Sequence, residues 1–230
     1  HFDMNYELEH RLERKGNQKI LRSIKNIIPA EVKISSIRQT DALGLGHAVL
    51  CAKQLINNEP FAVLLPDVMV IDNLSEEVNH SFSAMKKAWD ETGVGQIMVE
   101  SVDDKSVENY GIVDVNGFSL KPLSGVGIKG LVEKPLLKES PSNLAILGRY
   151  ILPPDIMQLL GNTNEGVGGE IQLTDALDKF LTYGQLNAFL SPASIFDCGN
   201  KKGFIGANLI LGMRDPDISE YLKELFNTLN

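Results

Sequence analysis

The sequence predicts an α/β chain with a mixed, mostly parallel sheet flanked by helices and carrying an inserted β-hairpin. Three observations lead there. The apolar run Phe61-Ala62-Val63-Leu64-Leu65 is cut by Pro66, the pattern of a strand buried on both faces of a parallel sheet. Helix-like and strand-like segments alternate around it at βαβ spacing. Asn116-Gly117, between the β-rich flanks of residues 111–118, is a strong short-range hairpin signal.

Taken in order, residues 2–28 read as helical, because Tyr6, Leu8, Leu12, Ile20, Leu21, Ile24, Ile27 and Ile28 recur near helical spacing among charges. Gly16-Asn17 interrupts this helix and Pro29 ends it. Residues 32–37 are β-prone. Gly44-Leu45-Gly46 opens a helix over 47–56, which Asn57-Asn58 stops. After the strand at 61–65, a helix is expected over 74–92 with Phe82, Met85 and Trp89 on its buried side, then a strand over 96–102. Further strands are expected at 128–132 and 144–152, helices at 171–183 and 201–213, and an amphipathic helix at 218–229. No repeat or linker divides the chain, so one domain over 1–230 is expected, with 201–230 as a helical C-terminal extension.

Composition narrows the function. With 230 residues, 43% hydrophobic and 23% charged, the chain is neither disordered nor collagen-like nor a disulfide mini-protein. Cys51 and Cys198 stand far apart without metal or redox spacing, so reduced thiols are expected. Apolar runs fall far short of the roughly 20 residues of a membrane helix, and no signal pattern opens the chain. A soluble, cytoplasmic protein without a membrane partner is expected. The net charge of -8 disfavours nucleic acid, so a phosphate ligand would need local positive charge. The opening His1-Phe2-Asp3, without Met, leads to the expectation of an N-terminally incomplete chain.

Ligands of open α/β sheets bind beyond the carboxyl ends of strands. Asp67 follows the apolar run in Leu64-Leu65-Pro66-Asp67, and Asp197 stands in Ile195-Phe196-Asp197-Cys198-Gly199. Two carboxylates at strand ends of one sheet could share Mg2+, although spacing alone favours two turn or helix caps. Gly44-Leu45-Gly46-His47-Ala48 could present free amides to an anion or a base, or simply form a turn. In Val132-Glu133-Lys134-Pro135, Glu133 could accept from hydroxyls and Lys134 could meet a phosphate; the alternative is a surface ion pair. Glu170 is read in the first turn of a helix, a position the helix dipole favours whatever the function. The four histidines form no ligand spacing, and no Gly-x-Ser-x-Gly elbow or cysteine nucleophile is present. A chemistry without base or covalent nucleophile, such as nucleotidyl transfer, fits this inventory.

Together and in order, several motifs resemble those of the bacterial UTP-glucose-1-phosphate uridylyltransferases, or UDP-glucose pyrophosphorylases. They are Arg38-Gln39, Gly44-Leu45-Gly46-His47-Ala48-Val49-Leu50-Cys51-Ala52, Leu65-Pro66-Asp67-Val68, Gln96-Ile97-Met98-Val99-Glu100 and Tyr110-Gly111-Ile112-Val113. Val132-Glu133-Lys134-Pro135, Gly148-Arg149-Tyr150, Gly169-Glu170-Ile171-Gln172-Leu173-Thr174-Asp175-Ala176 and Asp197-Cys198-Gly199-Asn200-Lys201 complete the set.

The resemblance implies a Rossmann-like nucleotidyltransferase fold and the reaction of UTP with glucose 1-phosphate to UDP-glucose and pyrophosphate. It further implies that Gln39 and Gly44 face uracil and that Asp67 and Asp197 hold magnesium. Gly111, Glu133 and Glu170 would line the glucose, Lys134 would reach its phosphate, and a homo-oligomer would be formed. The family's opening Gly-x-Gly-Thr-Arg loop and Pro-Lys-Glu-Met segment have no match here, so this chain alone is expected to turn over poorly or not at all. Leu43 stands where many relatives have Lys, which affects one expected contact. Two alternatives accompany this reading: a non-catalytic regulatory paralogue that binds sugar nucleotide, and a transferase for another nucleotide or sugar phosphate.

Overall fold

The computed structural model describes residues 4–72 and 80–229. Contacts divide the chain into two compact units, His1–Arg38 and Gln39–Asn230.

In the first unit, α1 (Tyr6–Arg14) starts where Asn5 Oδ1 accepts from the Leu8 amide at 3.0 Å. A turn with Gly16 at φ +69° leads into α2 (Gln18–Lys25), so the expected interruption is met. Glu9 and Lys25 join the two helices by an ion pair of 3.5 Å. Residues 2 and 3 of the expected helix lie outside the described residues. The β-prone stretch 32–37 forms no strand, and Val32, Ile34 and Ile37 stay about half exposed. Strand propensity is largely the energy of cross-strand packing, so without a ladder it decides little.

The second unit begins with α3 (Leu45–Cys51), α4 (Lys53–Ile56), β1 (Phe61–Leu64), β2 (Val68–Ile71), α5 (Ser81–Thr92) and β3 (Gly95–Ser101). It continues with β4 (Gly111–Asp114), β5 (Gly125–Gly127), β6 (Gly130–Glu133), β7 (Leu144–Leu152), α6 (Asp155–Gly161) and α7 (Leu173–Phe180). β8 (Leu186–Leu190), β9 (Ser194–Asp197), α8 (Lys201–Arg214) and α9 (Pro216–Leu229) complete it. Of the helix expected over 74–92, residues 81–92 form α5, and 74–79 lie outside the described residues.

The main sheet has the order β5-β8-β3-β7-β4-β6, with β1 also paired to β7, while β2 and β9 form a separate ribbon. The sheet is mixed, as expected, but β3–β8 is its one parallel ladder among the described residues. The expected predominance of parallel pairing is therefore corrected. β1 shows the reason. It lies antiparallel on β7 with alternating burial, and Leu64 is 53% exposed. An apolar run suggests a strand but does not determine its direction or its neighbours.

The hairpin expectation is corrected too. Asn116 and Gly117 do take φ +53° and +73°, and the Phe118 amide bonds Val115 O at 3.1 Å. The chain then fails to return onto β4. Pro122 offers no ladder donor, Leu123 N bonds Leu190 O, β5 pairs with β8, and β6 returns antiparallel to β4 instead.

Side chains of the central strands alternate between the two faces. On one face Ile97, Val99, Tyr150, Leu152 and Ala188 belong to a cluster with Val49 of α3, Ile156 and Leu160 of α6, and Leu173 and Leu177 of α7. On the other, Met98, Ile151 and Phe189 meet Met85, Phe82 and Trp89 of α5, with Val70 and Ile195 of the ribbon. Each large apolar side chain buried this way contributes about 1.5–3 kcal/mol, which holds both layers to the sheet.

β7 positions the site. Ile97 and Val99 of β3 face Tyr150 and Ile146, so β7 bulges across residues 147–149, with Gly148 at φ +63°. Its opposite edge changes partner there: Ala145 pairs with Ile112 of β4, and Arg149 with Leu64 of β1. Between those partners Gly148 O still accepts from Leu65 N at 2.9 Å, but residues 146 and 147 have no ladder partner on this edge among the described residues. A Cβ at Gly148 would stand 2.7 Å from Leu65 Cγ, so this close approach requires glycine. Among the described residues, no helix is long and apolar enough to cross a membrane.

Candidate active site

At the open edge of β7 lies a cleft of about 320 Å³, lined in part by Ile146, Leu147, Gly148 and Tyr150. Charged side chains on its walls are Asp67, Glu100, Glu133, Lys134, Glu170 and Asp197. Such an acidic cleft repels phosphates unless a cation compensates.

Asp67 stands where the chain leaves the main sheet for the ribbon. Arg149 holds that corner: Nη1 donates to Leu65 O at 2.8 Å and Gly148 O at 3.1 Å, and Nη2 donates to Val68 O. Burial lowers the pKa of the Arg149 guanidinium, and the nearby Asp67 charge opposes that shift. Register places Val68 opposite Asp197, and the Cys198 amide donates to Asp67 O at 2.7 Å. A Cβ built on Gly199 would stand 2.9 Å from Asp197 Oδ1 and 3.4 Å from Asp67 Oδ2. The two carboxylates thus approach one small space that has no side chain in it. The expectation that they share the rim of one sheet is corrected, because β2 and β9 are a ribbon of their own.

The chemistry of this pair fits a divalent cation. Among the described residues no group of three or more His, Cys, Asp or Glu forms a metal cage. Magnesium is commonly held by one or two carboxylates with substrate phosphates and water completing its shell, so two convergent carboxylates at an open cleft suit it better than a closed cage would.

The neighbouring wall carries groups to which the sequence reading gave no role. Tyr110 OH donates to Asp197 Oδ2 at 3.3 Å, and the Gly199 amide donates to Oδ1 at 2.9 Å. Burial, and then Asp197, push the Tyr110 hydroxyl up, which keeps it protonated as a donor. Tyr110 O also accepts from the Lys134 amide at 3.0 Å, while Lys134 takes φ +46°, a left-handed conformation. Glu133 pairs in register with Gly111, accepts from Thr174 Oγ1 at 2.6 Å, and lies 3.9 Å from Lys134 Nζ. Burial and then Glu133 raise the Tyr150 hydroxyl, and burial raises Glu100.

Glu170 lines the cleft but precedes α7, in extended backbone at φ -110° and ψ 151°. Its expected place in a first helical turn is therefore corrected, since Gln172 is the N-cap residue. The 43–46 loop docks on this segment: Ile171 N bonds Leu43 O at 2.8 Å and Gly46 N bonds Ile171 O at 2.9 Å. Gly44, at φ +92°, lies so near Glu170 that a Cβ would come within 2.7 Å of Glu170 Cβ. Gln39 Nε2 donates to Gly44 O and to His47 Nδ1, each at 3.0 Å.

Six expected site residues, Asp67, Gly111, Glu133, Lys134, Glu170 and Asp197, therefore share one cleft, whereas Gln39 and Gly44 support its border at Leu45. Thr174, Tyr110 and Arg149 received no role from the sequence. A signal existed for Arg149, a lone cation inside the otherwise apolar run of β7. Two hydroxyls in ordinary positions gave none.

A mixed sheet with two carboxylates converging at an open cleft fits the nucleotidyltransferase class. A family model described as nucleotidyl transferase matches residues 6–212, and the chain belongs to that family. Family members typically depend on a divalent metal. The expected resemblance is met in detail. The chain is 40% identical over 229 residues to the UTP--glucose-1-phosphate uridylyltransferase of Haemophilus influenzae, covering 100% of this chain and 78% of that one. The Escherichia coli K12 protein of the same name is 44% identical over 223 residues, covering 97% and 73%. A UTP-bound UGPase from Acinetobacter baumannii superimposes with a TM-score of 0.88 at 42% identity, covering 100% and 77%.

Proposed function

We propose that this nucleotidyltransferase moves the uridylyl group of UTP to glucose 1-phosphate, forming UDP-glucose and pyrophosphate. The reading rests on the approach of Asp67 and Asp197 to one point beside Glu133 and Lys134, together with relatives named for this reaction. The phosphate of glucose 1-phosphate is already ionised at neutral pH. One of its oxygens forms a bond to the α-phosphorus of UTP, the opposite bond to the bridging oxygen breaks, and its electron pair leaves with pyrophosphate. No base is required, so positioning and charge neutralisation supply the rate.

Lys134, its backbone tied to Tyr110, offers an ammonium to the sugar phosphate. Glu133 and Glu170 accept from glucose hydroxyls, and Gly111 lets the sugar lie close to β4. Gln39 and Gly44 hold the uracil end. Asp67 and Asp197 would hold magnesium, which would supply neutralisation of the phosphate charge. Outward apolar side chains on α8 and α9 support a homo-oligomer. The reading places the reaction in the cytoplasm, where UTP is available.

The test is direct. The full-length protein, including any residues that precede His1, given UTP, glucose 1-phosphate and Mg2+, should release pyrophosphate and UDP-glucose in equal amounts, and addition of a chelator should stop both. Binding of UTP without any UDP-glucose under those conditions would refute the transfer.

A further inference from the structure

Thr174 is the second residue of α7 and only 6% exposed. Its hydroxyl reaches across to β6 and donates to Glu133 Oε2 at 2.6 Å, a short, charge-assisted bond. The other carboxylate oxygen of Glu133 stands 3.9 Å from Lys134 Nζ, beyond hydrogen-bond length. Glu133 is itself nearly buried, with its side chain 11% exposed, and a Cβ at Gly111 would meet both Thr174 Oγ1 at 3.0 Å and Glu133 Oε2 at 3.1 Å. Oε2 is thereby confined between α7 and β4.

An acceptor for sugar hydroxyls and a cation for a phosphate, on adjacent residues, attract each other. In a partly buried cleft that attraction is stronger than in water. Full closure would turn the two binding groups into an ion pair occupied with itself. We infer that Thr174 is a positioning residue that holds the Glu133 carboxylate away from Lys134, so that the acceptor and the ammonium both remain open to the sugar phosphate. Its β-branched side chain has few rotamers, so the hydroxyl keeps a fixed direction. The inference deepens the proposed reaction and rests on it.

The test is a double-mutant cycle in the intact protein, combining Thr174→Val with Glu133→Gln and taking Thr174→Ser as the rescue variant. Valine keeps the shape and removes the donor. Thr174→Val should raise the KM for glucose 1-phosphate about tenfold, the size expected for one bond to a charged group. The KM for UTP should stay within about twofold, and Thr174→Ser should restore the sugar phosphate KM. In the Glu133→Gln background, Thr174→Val should add almost nothing, because the two residues act as one unit.

An unchanged glucose 1-phosphate KM in Thr174→Val, an equal rise for both substrates, or full additivity with Glu133→Gln would overturn the inference. If the valine variant does not fold, Thr174→Cys, with a similar volume and a weaker donor, should show the same selective rise in KM, and its absence would overturn the inference equally. Full-length wild-type protein that forms no UDP-glucose would instead refute the underlying reaction, which keeps the two failures apart.

Discussion

The approach of Asp67 and Asp197 comes down to one oxygen of each carboxylate near Gly199. Asp67→Asn and Asp197→Asn should each lower turnover by about a hundredfold or more while changing the unfolding midpoint little, because loss of charge at a phosphate-handling site costs transition-state stabilisation and not packing. Steady-state kinetics at limiting Mg2+ would check this, and full activity in either variant would dismiss the pair. Glu100 makes a prediction of the opposite kind. Burial raises its pKa above the ordinary 4.5, so the folded state holds the proton more tightly than the unfolded chain. Its contribution to stability is then complete below pH 4.5 and declines as pH rises through the folded value. Glu100→Gln should therefore be the more stable protein at neutral pH, with the difference vanishing near pH 4, as read from denaturant titrations across that range. Asp67 could be singled out in the sequence because it directly follows a broken apolar run, while its magnesium role came only with the family resemblance. Thr174 and Tyr110 could not, since their importance lies in partners 41 and 87 residues away.

At the level of elements, the corner between β1 and β2 depends on Arg149, whose guanidinium binds three backbone carbonyls. Arg149→Met should cost about 2 kcal/mol of stability or more, because buried carbonyls lose a charged donor. It should also lower turnover more than that loss implies, because Asp67 stands on the corner it releases; melting and kinetics measured on the same sample would separate the two. Helices and strands with local signals were legible: β7 runs over the expected 144–152, α8 starts at the expected Lys201, and α5 buries Met85. Pairing was not. The direction of β1, the return of β6 in place of a tight hairpin, and the ribbon that joins Val68 to Asp197 are agreements between segments far apart in the chain, and periodicity within a window contains no such information.

For the whole molecule, α8 presents apolar side chains in several directions, with Phe204 and Ile205 each 57% exposed. A helix apolar on every side is normally covered. A homo-oligomer would cover it, so Phe204→Glu with Ile205→Glu should give a smaller species in sedimentation velocity while leaving the monomer folded; an unchanged mass would locate any assembly elsewhere. The last consequence returns to β7, whose edge passes from β4 to β1 with a stretch left unzipped between them. The mouth of the enzyme is a vacancy in a ladder of hydrogen bonds, bounded by two short strands that stop before they meet. A chain variant that lengthened either one, even by residues of perfect β-propensity, would be a better sheet and a sealed one, and its owner would lose the reaction by gaining order.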